Sequence, residues 1–124
     1  MSKIFLLTAS LSGFLAVAIG AFGAHALKAR LDEHALNIYQ TGVEYQFYHT
    51  LAIFGVALLS YWYPQSTVLR ISGSLFIVGM ILFSGSLYML SFTGTRWWGV
   101  ITPLGGFALL IGWIALLLAA WRMP

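Results

Sequence analysis

Very few residues in this chain are equipped for chemistry. There are three histidines (His25, His34, His49), three acids (Asp32, Glu33, Glu44) and no cysteine. Without cysteine the chain forms no disulfide, no Cys-ligated iron–sulfur cluster and no thiol nucleophile. The stretch "TGVEYQFYHTLA" at 41–52 sets Glu44, Tyr45 and His49 at the mouth of a long apolar run, and His25 ends the preceding apolar run on the same side. Two histidines and a carboxylate are a ligand set for zinc, copper or iron, and two axial histidines can hold a haem. His25, Glu44, Tyr45 and His49 are therefore the candidate metal or cofactor cluster, although their spacing selects no particular metal and no cofactor is assigned.

Each member of the cluster also has a structural reading. Thr41 and Glu44 match [ST]-x-x-[DE] directly before an apolar run, so they predict a capping box with Glu44 at the positive end of a helix. His49 lies one turn after Tyr45 on the same face, and a lone histidine within a span is more often bonded to a tyrosine or a carbonyl than to a metal. His34 is expected to face solvent. Neither a nucleophile–base pair nor a hydrolytic metal motif can be read, so no catalytic residue is expected and the chain is not read as an enzyme. The alternative to an association protein is a small transporter or ion-handling bundle with His25, Glu44 and His49 at its entrance, against which no span carries an ionisable residue at its middle.

These residues are positioned by an unusually apolar chain. Of 124 residues, 60% are hydrophobic and 7% charged, against about 25% charged in an ordinary soluble domain. Between the charges lie four uninterrupted stretches, 4–27, 45–69, 71–95 and 97–121, each 24 or 25 residues long. About 20 apolar residues cross a hydrocarbon core as a helix, and runs such as "ALLIGWIALLLAAW" lack the alternation of a transmembrane strand. The chain is thus predicted to be all-α, a single domain forming a four-helix transmembrane bundle. Its spans fall near 4–24, 43–63, 70–92 and 101–121, with a short interfacial amphipathic helix near 27–39. The first run ends in the small-x-small pattern Ala24, His25, Ala26, but it is longer than a signal-peptide core of about 7–15 residues and is expected to stay as a span.

Four details of the spans carry expectations. Ser12, Ala16, Gly20 and Ala24 recur every four residues and predict a small-residue packing stripe; Ala108 with Gly112, and Ala115 with Ala119, form a weaker counterpart. Ser84 and Ser86 are expected to bond back to carbonyls one turn earlier. Thr102 and Pro103 suit an N-cap and first helical residue, which leaves Trp97 to Ile101 in the interface; the alternative is a helix running on from Trp97 and kinked at Pro103. In the 27–39 segment Leu27, Leu31, Ala35 and Ile38 share one face.

Six basic and three acidic residues are too sparse for a nucleic-acid footprint, so the expected partners are the lipid bilayer and either further copies of the chain or a larger membrane complex. With four spans Lys3, Arg70 and Arg122 share one side and Lys28, Arg30 and Arg96 the other. This count ties, and Lys3 beside the first span favours cytoplasmic termini.

The stretches "GAFGAHALKARL", "TGVEYQFYHTLA", "LFSGSLYML" and "ITPLGGFALLIGW" together resemble, in order and over nearly the whole chain, the YgdD-like family of small multi-pass membrane proteins, catalogued as domain of unknown function 423. Gly20, Gly23, His25, Thr41, Gly42, Glu44, Tyr45, Gln46, His49, Ser84, Gly85, Ser86, Tyr88, Thr102, Pro103 and Gly105 match its motifs. The resemblance implies four helices in a bacterial inner membrane and no secreted form. It supplies no reaction, substrate or cofactor.

Overall fold

The computed structural model describes all 124 residues and contains four long helices: α1 (Ser2–Phe22), α2 (Glu33–Trp62), α3 (Thr67–Thr93) and α4 (Trp97–Trp121). A single wide π-helical turn, Gly23–Leu27, continues α1 before the chain reverses. Three stretches, Ser2–Leu27, Thr67–Thr93 and Trp97–Trp121, are long and apolar enough to cross a membrane by length and composition. The second helix is more polar, because its buried stripe includes Gln46, His49, Thr50 and Ser60.

The start of α2 departs from expectation. Asp32 is its N-cap, extended in backbone (φ −67°, ψ 169°), with a carboxylate oxygen accepting from the Ala35 amide at 2.7 Å. Glu33 in the first turn adds negative charge at the positive end of the helix. Residues 28–32 form a turn, so no separate interfacial helix spans 27–39; residues 33–39 are the opening turns of α2 itself. Thr41 lies two turns inside and donates its hydroxyl to the Asn37 carbonyl at 3.0 Å, which excludes the Thr41/Glu44 capping box. At 30 residues α2 is about 45 Å long, half as long again as a hydrocarbon core of about 30 Å.

The remaining boundaries follow local chemistry. Tyr63 ends α2 directly before Pro64, and the Ser66 hydroxyl caps α3 by accepting from the Leu69 amide at 3.3 Å. Gly94, at φ +66°, closes α3 in the left-handed conformation, its amide donating to the Leu90 carbonyl at 2.8 Å. The fourth helix starts at Trp97, not at Pro103, and runs through the proline. Thr102 is no cap: its hydroxyl points back to the Trp98 carbonyl at 3.4 Å and meets Ser86 on α3 at 2.6 Å, which fixes it inside the helix.

Packing runs mainly between successive helices, α1 on α2, α2 on α3 and α3 on α4, each pair antiparallel, so Met1, the α2–α3 turn and Arg122 share one end. All four helices feed one core that includes Phe5, Ala9, Ile53, Val56, Phe76, Met80 and Leu109. The cross-section is a diamond: α2 and α3 form the central pair, and α1 and α4 lie on opposite flanks with little or no contact between them. Glycines set the α3–α4 approach. A Cβ on Gly105 would stand 2.8 Å from the Phe83 Cα, and one on Gly112 would stand 2.8 Å from the Phe76 ring.

The small-residue stripe on α1 is partly as expected. Ser12 and Ala16 are buried and Gly20 faces Val43, but Ala24 is exposed. Steps of four residues drift by about 40° each at 100° per residue, so Ala24 lies about 120° from Ser12, whereas Gly23 lies about 20° from it. Gly23 takes the buried place, against the Tyr39 ring.

Candidate functional site

Along α2 the buried positions Tyr39, Gly42, Gln46, His49, Ile53, Val56 and Ser60 recur every three or four residues, the signature of one face turned inward. Gln46 is the polar hub of that face, 7% exposed. Its amide nitrogen donates to the Ser12 carbonyl on α1 at 3.1 Å, and its amide oxygen accepts from the Tyr88 hydroxyl on α3 at 2.6 Å. A carbonyl only accepts, so the Ser12 contact fixes which end of the amide faces α1. One side chain thereby ties three helices together. One turn on, Thr50 and Ser12 share a hydrogen at 2.7 Å, Thr50 also donates to the Gln46 carbonyl at 2.7 Å, and Ser12 reaches the Met80 sulfur at 3.4 Å.

His49, 5% exposed, serves the opposite flank. The indole of Trp113 on α4 donates to its Nε2 at 3.1 Å, and its Nδ1 lies 2.8 Å from the Tyr45 carbonyl. Indole N–H has no acceptor role and a carbonyl no donor role, so this pair of contacts fixes the neutral imidazole with its hydrogen on Nδ1. Tyr45 stacks near the ring at 6.1 Å between centroids, and Phe76 and Trp113 close around it at 5.7 and 6.0 Å. Tyr45, His49, Phe83 and Trp113 border a groove of about 260 Å³ between α2 and α4.

The four candidate ligands do not converge. His25 is exposed in the π-helical turn, and Glu44 is exposed on α2. Glu44 and His49 are five residues apart, about 140° around the helix, so they cannot serve one site from the same face. No three histidine, aspartate or glutamate side chains stand together in a metal-holding group.

Further bonds stitch α3 to α4. Ser72 donates to the Gly112 carbonyl at 2.9 Å, and Ser86 donates to the Phe83 carbonyl at 2.9 Å as well as meeting Thr102. Ser84 corrects the expectation of a back-bond: its hydroxyl is buried and bonded to nothing, as is that of Ser60. At the end near the α1–α2 turn the Tyr39 hydroxyl donates to the Ile19 carbonyl, and its ring meets Tyr88 at a tilt and Phe92 edge-on, at 5.4 and 5.8 Å between centroids. The site that emerges is a polar seam centred on Gln46. No charged residue marks this seam in the sequence, although continuing the α2 stripe back from Ile53 in steps of four and three lands on Gln46.

Comparison with known proteins agrees with this architecture. The chain is 42% identical to the UPF0382 inner membrane protein YgdD of Escherichia coli (strain K12), covering 98% of this chain and 92% of that one. It is 42% identical to the UPF0382 membrane protein YwdK of Bacillus subtilis (strain 168), covering 95% and 96%. With a UPF0382 membrane protein of Haemophilus influenzae it shares 43% identity over 98% of this chain and 97% of the relative. No solved structure matches. Residues 19–106 match the family model described as Protein of unknown function (DUF423), and the chain belongs to that family of membrane proteins.

Proposed function

We propose that this is a non-enzymatic protein of the bacterial inner membrane that works by association, either with its own copies or as a small accessory subunit of a larger membrane complex. One observation carries the reading: the buried polar side chains are committed mainly to holding helices to one another. Gln46 joins α1, α2 and α3, His49 has both ring nitrogens engaged, and Ser72 and Ser86 join α3 to α4. An interior built this way leaves the outside of the bundle as the surface that meets other molecules. There Leu7, Phe14 and Val17 on α1 and Phe107, Leu110 and Leu117 on α4 are exposed and apolar, suited to lipid or to another transmembrane helix.

In this reading α2 is a fourth span, its polar residues turned to the core and bonded there and its opening turns standing clear of the hydrocarbon. Both termini are then cytoplasmic, with Lys3 beside the first span setting the orientation. The cysteine-free chain makes topology simple to test. Single-cysteine variants Ser66→Cys and Asp32→Cys in intact cells should differ in labelling by a membrane-impermeant maleimide, with only the second labelled; equal labelling of both removes the fourth crossing. Chemical crosslinking in native membranes tests association. A discrete product containing two copies, or one copy with a single partner, is expected, and recovery of uncrosslinked chain alone across reagents of several lengths overturns it.

A further inference from the structure

On the flank opposite His49, residues of α1 and α3 border a groove of about 320 Å³ along the middle of the bundle. Its rim is aliphatic, with Leu15 on α1 and Ile81 on α3 exposed to the surroundings; Gln46 forms its floor, and Ser84, Gly85 and Tyr88 line the α3 side. No lysine, arginine, histidine, aspartate or glutamate borders it. Its size is at the small end of ligand sites, and its makeup, mostly apolar with a few polar groups between helices of a bundle, is the usual one for such sites.

Two features separate this groove from a packing defect. The Ser84 hydroxyl, in a residue 2% exposed, has no hydrogen-bond partner, a state that costs free energy in a protein interior. Ser84 borders the groove, and its hydroxyl is the one side-chain polar group of the lining without a hydrogen-bond partner. At Gly85 an added Cβ would meet nothing within 4 Å, so the space beside α3 is open.

We propose that this groove binds a neutral, membrane-dissolved molecule bearing a ketone or quinone-type carbonyl, which enters sideways from the bilayer and accepts a hydrogen bond from Ser84. Neutrality follows from the absence of any charged residue in the lining, since an ion at this depth needs a partner. The unused Ser84 hydroxyl calls for a hydrogen-bonding group on the ligand, and a carbonyl is the neutral acceptor that takes its proton without bringing a further donor to be satisfied. Depth rules out the ester groups of phospholipids: Ser84 lies nine residues before the end of α3, about 14 Å along the axis and well inside the hydrocarbon, whereas those esters sit at the headgroup boundary. The site lies within one protomer and so stands independently of self-association.

Benzophenone, a neutral diaryl ketone that crosslinks under ultraviolet light, is a suitable probe. Purified full-length protein in nanodiscs is titrated with it, irradiated and mapped by peptide mass spectrometry. Saturable labelling at Leu15, Ile81 and their neighbours is expected. It should fall at least tenfold in Gly85→Phe, which fills the groove, and at least threefold at sub-saturating probe in Ser84→Ala. Loss in Gly85→Phe with no change in Ser84→Ala would overturn the assignment, because shape alone would then explain binding. Non-saturating label spread over the lipid-facing helices in all variants would overturn it equally. Ser84→Ala should be at least as stable as the parent, so folding does not confound its result. If Gly85→Phe is not monodisperse, Ile81→Trp at the exposed rim blocks the same opening and is read in the same way.

Discussion

If Gln46 is the hub of the polar seam, its contribution should appear as coupling with Tyr88. Gln46→Met keeps the side-chain length and removes both the 2.6 Å bond from the Tyr88 hydroxyl and the 3.1 Å bond to the Ser12 carbonyl. Interhelical hydrogen bonds in membranes are worth about 0.6 kcal/mol on average and up to about 1.7, because helices separated in lipid also find partners. An orphaned buried hydroxyl in a protein interior costs about 1–3 kcal/mol. Gln46 is almost fully buried and the Tyr88 bond is short, so the upper part of the membrane range applies. Gln46→Met should cost about 2 kcal/mol and Tyr88→Phe about 1 kcal/mol. The double variant should cost less than the sum by about 1 kcal/mol, roughly fivefold in the unfolding constant. Reversible unfolding in mixed micelles titrated with dodecyl sulfate, followed by fluorescence of the five tryptophans, measures all four corners of the cycle. Additivity to within about 0.3 kcal/mol would refute the hub, because residues in direct contact must couple.

Three other perturbations bear on the boundaries and the packing. Asp32→Ala should destabilise by about 1 kcal/mol through loss of the α2 cap, while Thr41→Val should be nearly neutral; the same unfolding titration separates them, and the reverse order would restore the capping box. Gly105→Ala should cost about 1–3 kcal/mol, since the new methyl meets the Phe83 backbone, which cannot give, whereas Gly55→Ala, with open space around it, should be neutral or stabilising by up to about 1 kcal/mol. Trp113→Phe keeps the ring packing and removes the donor to His49 Nε2, so it should cost about 0.6–1.7 kcal/mol and lessen the loss from His49→Phe, which in that background removes only the Nδ1 bond to the Tyr45 carbonyl.

What could be read from the letters and what could not divides along physical lines. Long apolar runs punctuated by charge demand helices whatever they pack against, so α1 and α3 lie close to their expected limits. Boundaries inside polar sequence were harder. The Thr41-x-x-Glu44 pattern is a true capping signature in the wrong place, because Asp32 offers a cap nine residues earlier and no proline or strong breaker intervenes. Pro103 misled in the same way: a proline early in a sequence pattern marks a helix start, yet Thr102 bonds both backward along α4 and across to Ser86, and those bonds hold the preceding turns helical. The candidate cluster failed on angular grounds that the numbering already contained, since Glu44 and His49 face different directions. The polar seam, by contrast, was obscured because amides and hydroxyls carry no charge to draw attention, and their partners lie on helices 34 to 42 residues away in sequence.

The diamond cross-section bears on how such a chain is made. Each helix after the first packs directly on the one synthesised just before it: α2 on α1, α3 on α2, α4 on α3. No extensive contact between the first helix and the last has to wait for the ribosome to finish. A polypeptide with this order of partnership can settle into lipid pairwise as it emerges, and the search that remains after release is short.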